Sequence, residues 1–209
     1  FKGRKLMANK ISTWQIGKIK ITRIIEGEGA GPLFVLPDAT PENIIKMPWL
    51  QPHFADSDGN TIASIHALIL ETPNKCIMVD TCIGNDKQRH IPEWNMLHTK
   101  FMENLERAGY STEKIDTVLC THMHTDHVGW NTVLTNDQWE PTFKKADYLF
   151  GKKEWEHTEK QLKNPLFAEF INDSIIPIIE SGLVKFVEMD EEICEGITLE
   201  PTTGHTPGH

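Results

Sequence analysis

Ten residues, Thr121–Trp130 (THMHTDHVGW), constrain this chain more than any other stretch. They follow Ile115–Cys120 (IDTVLC), a short and mostly apolar run that reads as a buried strand. Four side chains able to bind a metal, His122, His124, Asp126 and His127, fall within six consecutive positions directly after that strand. In an extended segment alternate side chains share a face, so His122, His124 and Asp126 point the same way. His127 joins them only if the chain turns there, as it does on entering a helix. Imidazole nitrogens and a carboxylate oxygen are the donors that zinc and similar divalent ions take. The tract is interrupted, contains an aspartate and lies inside a folded pattern, which separates it from a terminal histidine tag.

The rest of the chain reads as alternating strands and helices in one domain. Lys18–Glu26 is β-branched and partly alternating, a strand, and Gly27–Pro41 a loop. Met47–Asn60 is irregular and ends in a DSDGN turn signal. Thr61–Glu71 and Lys75–Asp80 form a hairpin through Thr72, Pro73 and Asn74. Apolar spacing predicts a helix over Asn95–Tyr110, stopped at Gly109. Asp147–Phe150 is a strand, Lys152–Leu162 a polar helix, and Ala168–Ser181 a helix bent or ended at Pro177. Leu183–Val187 and Ile193–Leu199 are strands. This mixture implies a layered α/β or α+β domain.

Composition narrows the function. The 209 residues carry 21 Lys+Arg against 30 Asp+Glu, a formal net charge of -9, which disfavours a nucleic-acid backbone as ligand. A compact substrate held by a metal is unaffected. No stretch approaches the roughly 18 apolar residues of a membrane span. The basic Phe1–Leu6 lacks the apolar core of an export signal and reads as a cloning remnant ahead of a native start at Met7, leaving residues 7–209 as the domain. Cys76, Cys82, Cys120 and Cys194 lie far apart with no CxxC pair, so reduced thiols and a cytoplasmic location are expected.

The HxHxDH pattern of His122–His127 resembles the signature of the metallo-β-lactamase superfamily. Two further segments support the resemblance: Ile77–Gly84 (IMVDTCIG), with Asp80 where the family buttresses its metal loop, and Thr203–His209 (TGHTPGH), similar to the family's third motif. The resemblance implies an αββα sandwich and two divalent ions, zinc first, with manganese, iron or cobalt as alternatives. It makes His122, His124 and His205 ligands of one metal and Asp126 and His127 the start of a second site. Asp80 becomes the supporting group that buttresses the ligand loop, while His209, four positions after His205, reads equally as a group that orients a neighbour by hydrogen bond and as a surface residue. The family's bridging aspartate and last histidine lie beyond the third motif, past His209. The chain therefore reads as C-terminally truncated, with the second half of the sandwich incomplete and full activity not expected of this piece alone.

The implied chemistry is hydrolysis by a metal-activated hydroxide, with Asp126 as the catalytic carboxylate that handles the proton. The loops DSDGN, VDTCIGNDKQR and DSIIPIIESG resemble the branch of lactonases, aryl esterases and organophosphate hydrolases, so a lactone or carboxylic ester is the expected substrate. His124 at the middle position disfavours the flavodiiron branch. The alternatives are a glyoxalase II-like thioester hydrolase, an iron-dependent persulfide dioxygenase and a non-catalytic metal-binding module. The expected partner is a small molecule, without nucleic acid or membrane, and a homodimer is admitted. Among the other histidines, His66 reads as a satisfied core or interface residue, and His53, His90, His98 and His157 as surface. Trp130 reads as packing, Met47, Trp49 and Phe54 equally as packing or as a pocket wall, and Met189–Glu195 as a solvated turn.

Overall fold

The computed structural model describes residues 11–31 and 36–209. The expectation for Phe1–Leu6 and Met7 lies outside them. Among the described residues, eleven strands occur in chain order: β1 Ser12–Ile16, β2 Ile19–Gly31, β3 Thr61–Glu71, β4 Cys76–Val79, β5 Thr117–Cys120, β6 Thr132–Thr135, β7 Gln138–Pro141, β8 Asp147–Gly151, β9 Val184–Val187, β10 Glu192–Cys194 and β11 Ile197–Thr198. Six α-helices are interspersed: α1 Pro41–Ile45, α2 Phe101–Arg107, α3 Thr125–Val128, α4 Lys152–Thr158, α5 Pro165–Phe170 and α6 Ile176–Glu180.

Seven strands make one sheet in the order β1-β2-β3-β4-β5-β8-β9. The β1 to β4 neighbours are antiparallel, and β4, β5, β8 and β9 run parallel. Parallel neighbours need crossovers, which α2 and the α4–α6 region supply. Because side chains alternate along a strand, the sheet has two apolar faces. One carries Ile24, Ala67, Ile69, Met78, Val118, Tyr148 and Phe150 against Phe101 and Leu105 of α2 and Phe170, Ile171 and Ile178 of the C-terminal helices. The other carries Ile77, Leu119, Leu149 and Val187, with Ile193, Ile197 and Leu199 of the β10–β11 segment packed on it. The fold is a mixed α/β domain with a large central sheet, as the sequence implies.

Several boundaries differ from expectation for physical reasons. The strand expected over Lys18–Glu26 runs on to Gly31, because a bulge between Ile25 and Gly27 lets the glycine-containing end keep pairing with Thr61–Ile65. Gly27–Gly31 is therefore strand, not loop. The helix expected over Asn95–Tyr110 is confined to Phe101–Arg107. Ahead of it Met96 adopts a φ of 52° and donates its N–H to the Lys87 carbonyl, and Leu97 accepts from Asp86, so this segment pairs with the 86–87 loop and does not wind. The strand expected over Ile193–Leu199 breaks at Gly196, φ 84°, into the β10–β11 hairpin, so the acidic run is partly strand. Strand β1, helix α1 and the β6–β7 hairpin carried no expectation. Pro177 sits in the first turn of α6, directly after a π-helical turn at Ile171–Ile175, where the long C-terminal helix changes its winding.

Candidate metal centre

Strand β5 is buried along its whole length and releases the chain at Thr121. His122 and Met123 remain buried, His124 caps the short helix α3, and Asp126 and His127 lie within that helix. Thr121 is gripped by Asp80, which follows β4. The Asp80 carboxylate accepts from Thr121 N at 2.8 Å and from its Oγ1 at 2.9 and 3.1 Å. Asp80 reaches back because its backbone takes a left-handed turn, φ 59°, a conformation that costs energy in a residue with a Cβ and recurs where a site fixes a side chain. Its second oxygen lies 2.8 Å from His127 Nδ1, so one carboxylate ties the start of the ligand loop to the imidazole at its end.

The structure brings His122, His124 and His205 together. One nitrogen from each ring lies within 4.8 Å of the others, and His124 Nδ1 stands 2.9 Å from His205 Nε2. The rings of His124 and His205 both meet the His122 ring nearly edge-on, with centroids 4.7 and 4.8 Å away. A tetrahedral ion with bonds of about 2 Å spaces its ligand nitrogens about 3.3 Å apart, a value inside this range. His122 supplies a further test of fit. Its Nδ1 is occupied by Thr121 Oγ1 at 3.2 Å, while its Nε2 is buried with no hydrogen-bond partner. An orphaned buried nitrogen costs free energy unless a ligand takes it up. The donor set and the orphan both fit a divalent cation.

Asp126 and His127 adjoin this group without entering it. The His127 ring centroid is 4.0 Å from that of His122, and its Nε2 lies 3.5 Å from Asp126 Oδ2. His209 lies with its centroid 4.7 Å from His122, and its Nδ1 is 2.7 Å from Thr202 Oγ1. Burial chiefly, then the neighbouring imidazoles, pushes His122 down to about 2, so that ring stays neutral and able to donate a lone pair. Burial and His205 lower His124 as well. Burial would also lower His127, but hydrogen bonds to Asp126 and Asp80 overcome it and hold the ring up at about 10. Burial would raise Asp126; the adjacent His127 overrides it and pulls the carboxyl below its usual range.

The remaining expected residues fall as follows. His66 is half-buried beside Ser64, and His53 and His98 are exposed. His90, exposed, bonds Glu169 at 2.8 Å, and His157 is half-buried. Trp130 is packing, stacked on Phe101 with its indole N–H donated to Glu26 at 2.6 Å. Trp49 and Phe54 face solvent, 71% and 59% exposed, and Met47 is half-buried. All four cysteines are free thiols.

Three groups near the site carried no expectation. Glu26, buried, accepts from Ile83 N, Gly84 N and Trp130. Lys87 and Arg89 are buried against Asp173, Arg89 through a two-pronged pair at 2.7 and 3.0 Å. Glu154 is buried between two loops. Each is a charged residue that only tertiary pairing takes inside.

Comparison with known proteins agrees with this geometry. The sequence pattern of the metallo-beta-lactamase superfamily matches residues 61–209. An N-acyl homoserine lactonase of Bacillus cereus is 25% identical over 156 residues, covering 68% of this chain and 54% of that protein. Another, from Bacillus sp, is 30% identical over 105 residues, covering 50% of this chain and 35% of that protein. The chain thus spans about a third to a half of the length of the curated relatives it matches. Among solved structures, the beta lactamase superfamily hydrolase AbOPH superposes with a TM-score of 0.73 at 22% identity, over 97% of this chain and 69% of its own. AidC, a dizinc quorum-quenching lactonase, superposes at 0.69 and 19% identity, over 95% and 68%. With a match over more than half of its length, the chain belongs to the metallo-beta-lactamase superfamily.

Proposed function

We propose that this chain forms the metal-binding part of a hydrolase that opens a lactone or carboxylic ester. The observation that carries the reading is the convergence of His122, His124 and His205 around the orphaned Nε2 of His122. The lactonase names of its sequence relatives support the substrate class. His122, His124 and His205 would hold one ion, and Asp126 and His127 would begin a second site, with zinc the first choice. When bound, such ions polarise a carbonyl and make a water nucleophilic at neutral pH.

The chain's own residues then have separable tasks. Asp80 and Thr121 hold the ligand loop in register. Asp126 is the carboxylate that can accept the proton released by the attacking water. It can then deliver the proton to the departing alkoxide oxygen as the acyl C–O bond breaks, leaving a hydroxy acid from a lactone, or a carboxylic acid and an alcohol from an ester.

The test uses the protein that carries this chain, loaded with zinc or manganese, against a lactone, an aryl ester, a thioester and a phosphotriester, with a chelated control. Lactone or ester turnover that chelation abolishes is expected, and Asp126→Asn should lower kcat by about 100-fold or more while leaving the yield of folded protein near that of the parent. Undiminished turnover in Asp126→Asn removes Asp126 from the mechanism. Failure on both lactone and ester with the metal bound rejects the substrate class, and about one iron per chain in place of about two zinc ions points to the dioxygenase alternative.

A further inference from the structure

We infer that Glu154 is a positioning residue whose carboxylate ties the ligand loop after β5 to the segment carrying His205, and so sets the spacing of the three imidazoles. The inference rests on the metal-centre reading above.

Glu154 is the third residue of α4, after Gly151 at the N-cap. A glutamate there commonly reaches back to cap its own helix. Here both oxygens are taken elsewhere. Oε1 accepts from Met123 N at 3.0 Å, between His122 and His124. Oε2 accepts from Gly208 N at 3.1 Å, three residues past His205. The residue is only 2% exposed, so these charge-assisted bonds offset the loss of water at the carboxylate.

Packing gives an independent sign that this contact is built. A Cβ on Gly208 would sit 2.3 Å from Glu154 N and 2.5 Å from its Cα, closer than any side chain allows. The chain at 208 therefore lies directly on the first turn of α4. A Cβ on Gly151 would in turn meet the Gly208 carbonyl at 3.5 Å. The other backbone hydrogen bonds of residues 202–209 are internal: Thr202 N to His209 O, and Gly204 N to Thr206 O. Among the described residues, the Gly208–Glu154 bond is the one that anchors this backbone to the rest of the domain.

Two oxygens serving two loops leave no neutral substitute. Glutamine matches the size, but its single carbonyl oxygen satisfies one N–H while its NH2 faces the other. Glu154→Gln should therefore untie one ligand loop from the other without removing a metal donor.

The experiment titrates cobalt(II) into the metal-free protein that carries this chain. It reads affinity by competition with a coloured chelator and coordination by the visible ligand-field band. Four proteins are compared: the parent, Glu154→Gln, Gly208→Ala and Asp116→Asn. Asp116 accepts from Cys76 N at 2.7 Å at the opposite end of β5, so its variant controls for the general loss of a carboxylate that binds backbone. Glu154→Gln is expected to weaken cobalt binding about tenfold or more and to alter the band, as loss of groups that orient metal ligands does. Gly208→Ala, which keeps the carboxylate but pushes the two segments apart, should also weaken binding and reports on the same spacing if Glu154→Gln fails to fold. Asp116→Asn should bind like the parent. Parent-like affinity and spectrum in Glu154→Gln or Gly208→Ala overturn the proposal, as does an equal loss in Asp116→Asn. A parent chain that takes up no cobalt overturns the metal-centre reading itself and this inference with it.

Discussion

The two segments that supply the three imidazoles are held in different ways. The first, Thr121–Asn131, is embedded. Asp80 fixes its start, Gly129 N and Trp130 N donate to the Cys82 and Thr81 carbonyls, and Thr81 Oγ1 donates to Asn131. Behind it the Thr81–Arg89 segment is anchored by Glu26 and by the buried Lys87–Arg89–Asp173 cluster. The second segment, 202–209, lies mostly at the surface, with His205 exposed, and makes contact with the body through Gly208, the buried Thr206 and the imidazole nitrogens. One ligand source is part of the core and the other rests against it. Damage to the packing around the first should therefore appear as lost stability, and damage to the second as lost metal binding with the fold retained.

The largest effect should come from beneath the embedded segment. Asp173→Ala leaves the Arg89 and Lys87 side chains, neither exposed to solvent, without their carboxylate. Removing one partner of such a buried pair costs about 3–5 kcal/mol. Denaturant unfolding that shows less than about 1 kcal/mol of loss would break the contrast between the segments. Gly129→Ala comes next. Its Cβ would stand 1.8 Å from the Ile83 carbonyl oxygen, and backbone must move to admit it, at about 3 kcal/mol. A melting temperature equal to the parent's would show that the two turns are not packed as described.

The same cluster gives a pH signature. Burial, opposed by Asp173, brings Lys87 down to about 7. Its pKa in the unfolded chain is about 10.4. Between these values the unfolded chain binds the extra proton, so stability rises with pH through that window. The steepest slope from this one residue is about 1.4 kcal/mol per pH unit. Below about pH 7 the penalty is fully present and constant. Lys87→Met should remove this component, so unfolding free energies at pH 7.5 and 9.5 should differ by less in the variant than in the parent. An unchanged difference would mean that Lys87 stays charged in the fold.

The contrast also explains what could be read from the sequence. His122 and His124 were legible because their spacing of two survives any short extended segment, and His205 through the resemblance of TGHTPGH. The strands of the sheet's centre were legible because they are buried apolar runs of four or five residues. The framework behind the ligands was not. Lys87, Arg89, Asp173 and Glu154 look like solvated charges, and only tertiary pairing takes them inside. Asn95–Lys100 carries helical spacing, yet its backbone bonds Asp86 and Lys87, partners in an earlier loop that periodicity cannot see. Gly27–Gly31 reads as loop because glycine is a poor strand former alone, and it becomes strand because Thr61–Ile65 offers a ladder to complete.

The smallest effect on stability separates a ligand from the packing around it. His205→Ala and His122→Leu should each abolish tight metal binding, since each removes one of three converging donors. Neither loss should cost the metal-free chain much stability. His205 is exposed, so its loss should change the unfolding free energy by no more than about 0.5 kcal/mol. His122 is 2% exposed with an unpartnered Nε2, and leucine fills a similar volume with no orphaned nitrogen. His122→Leu should therefore leave the metal-free chain at least as stable as the parent. That is the behaviour of a residue kept for a ligand and not for the fold. A metal-free His122→Leu that melts well below the parent would show that the imidazole is satisfied by the protein itself, and the orphaned nitrogen would no longer point to a cation.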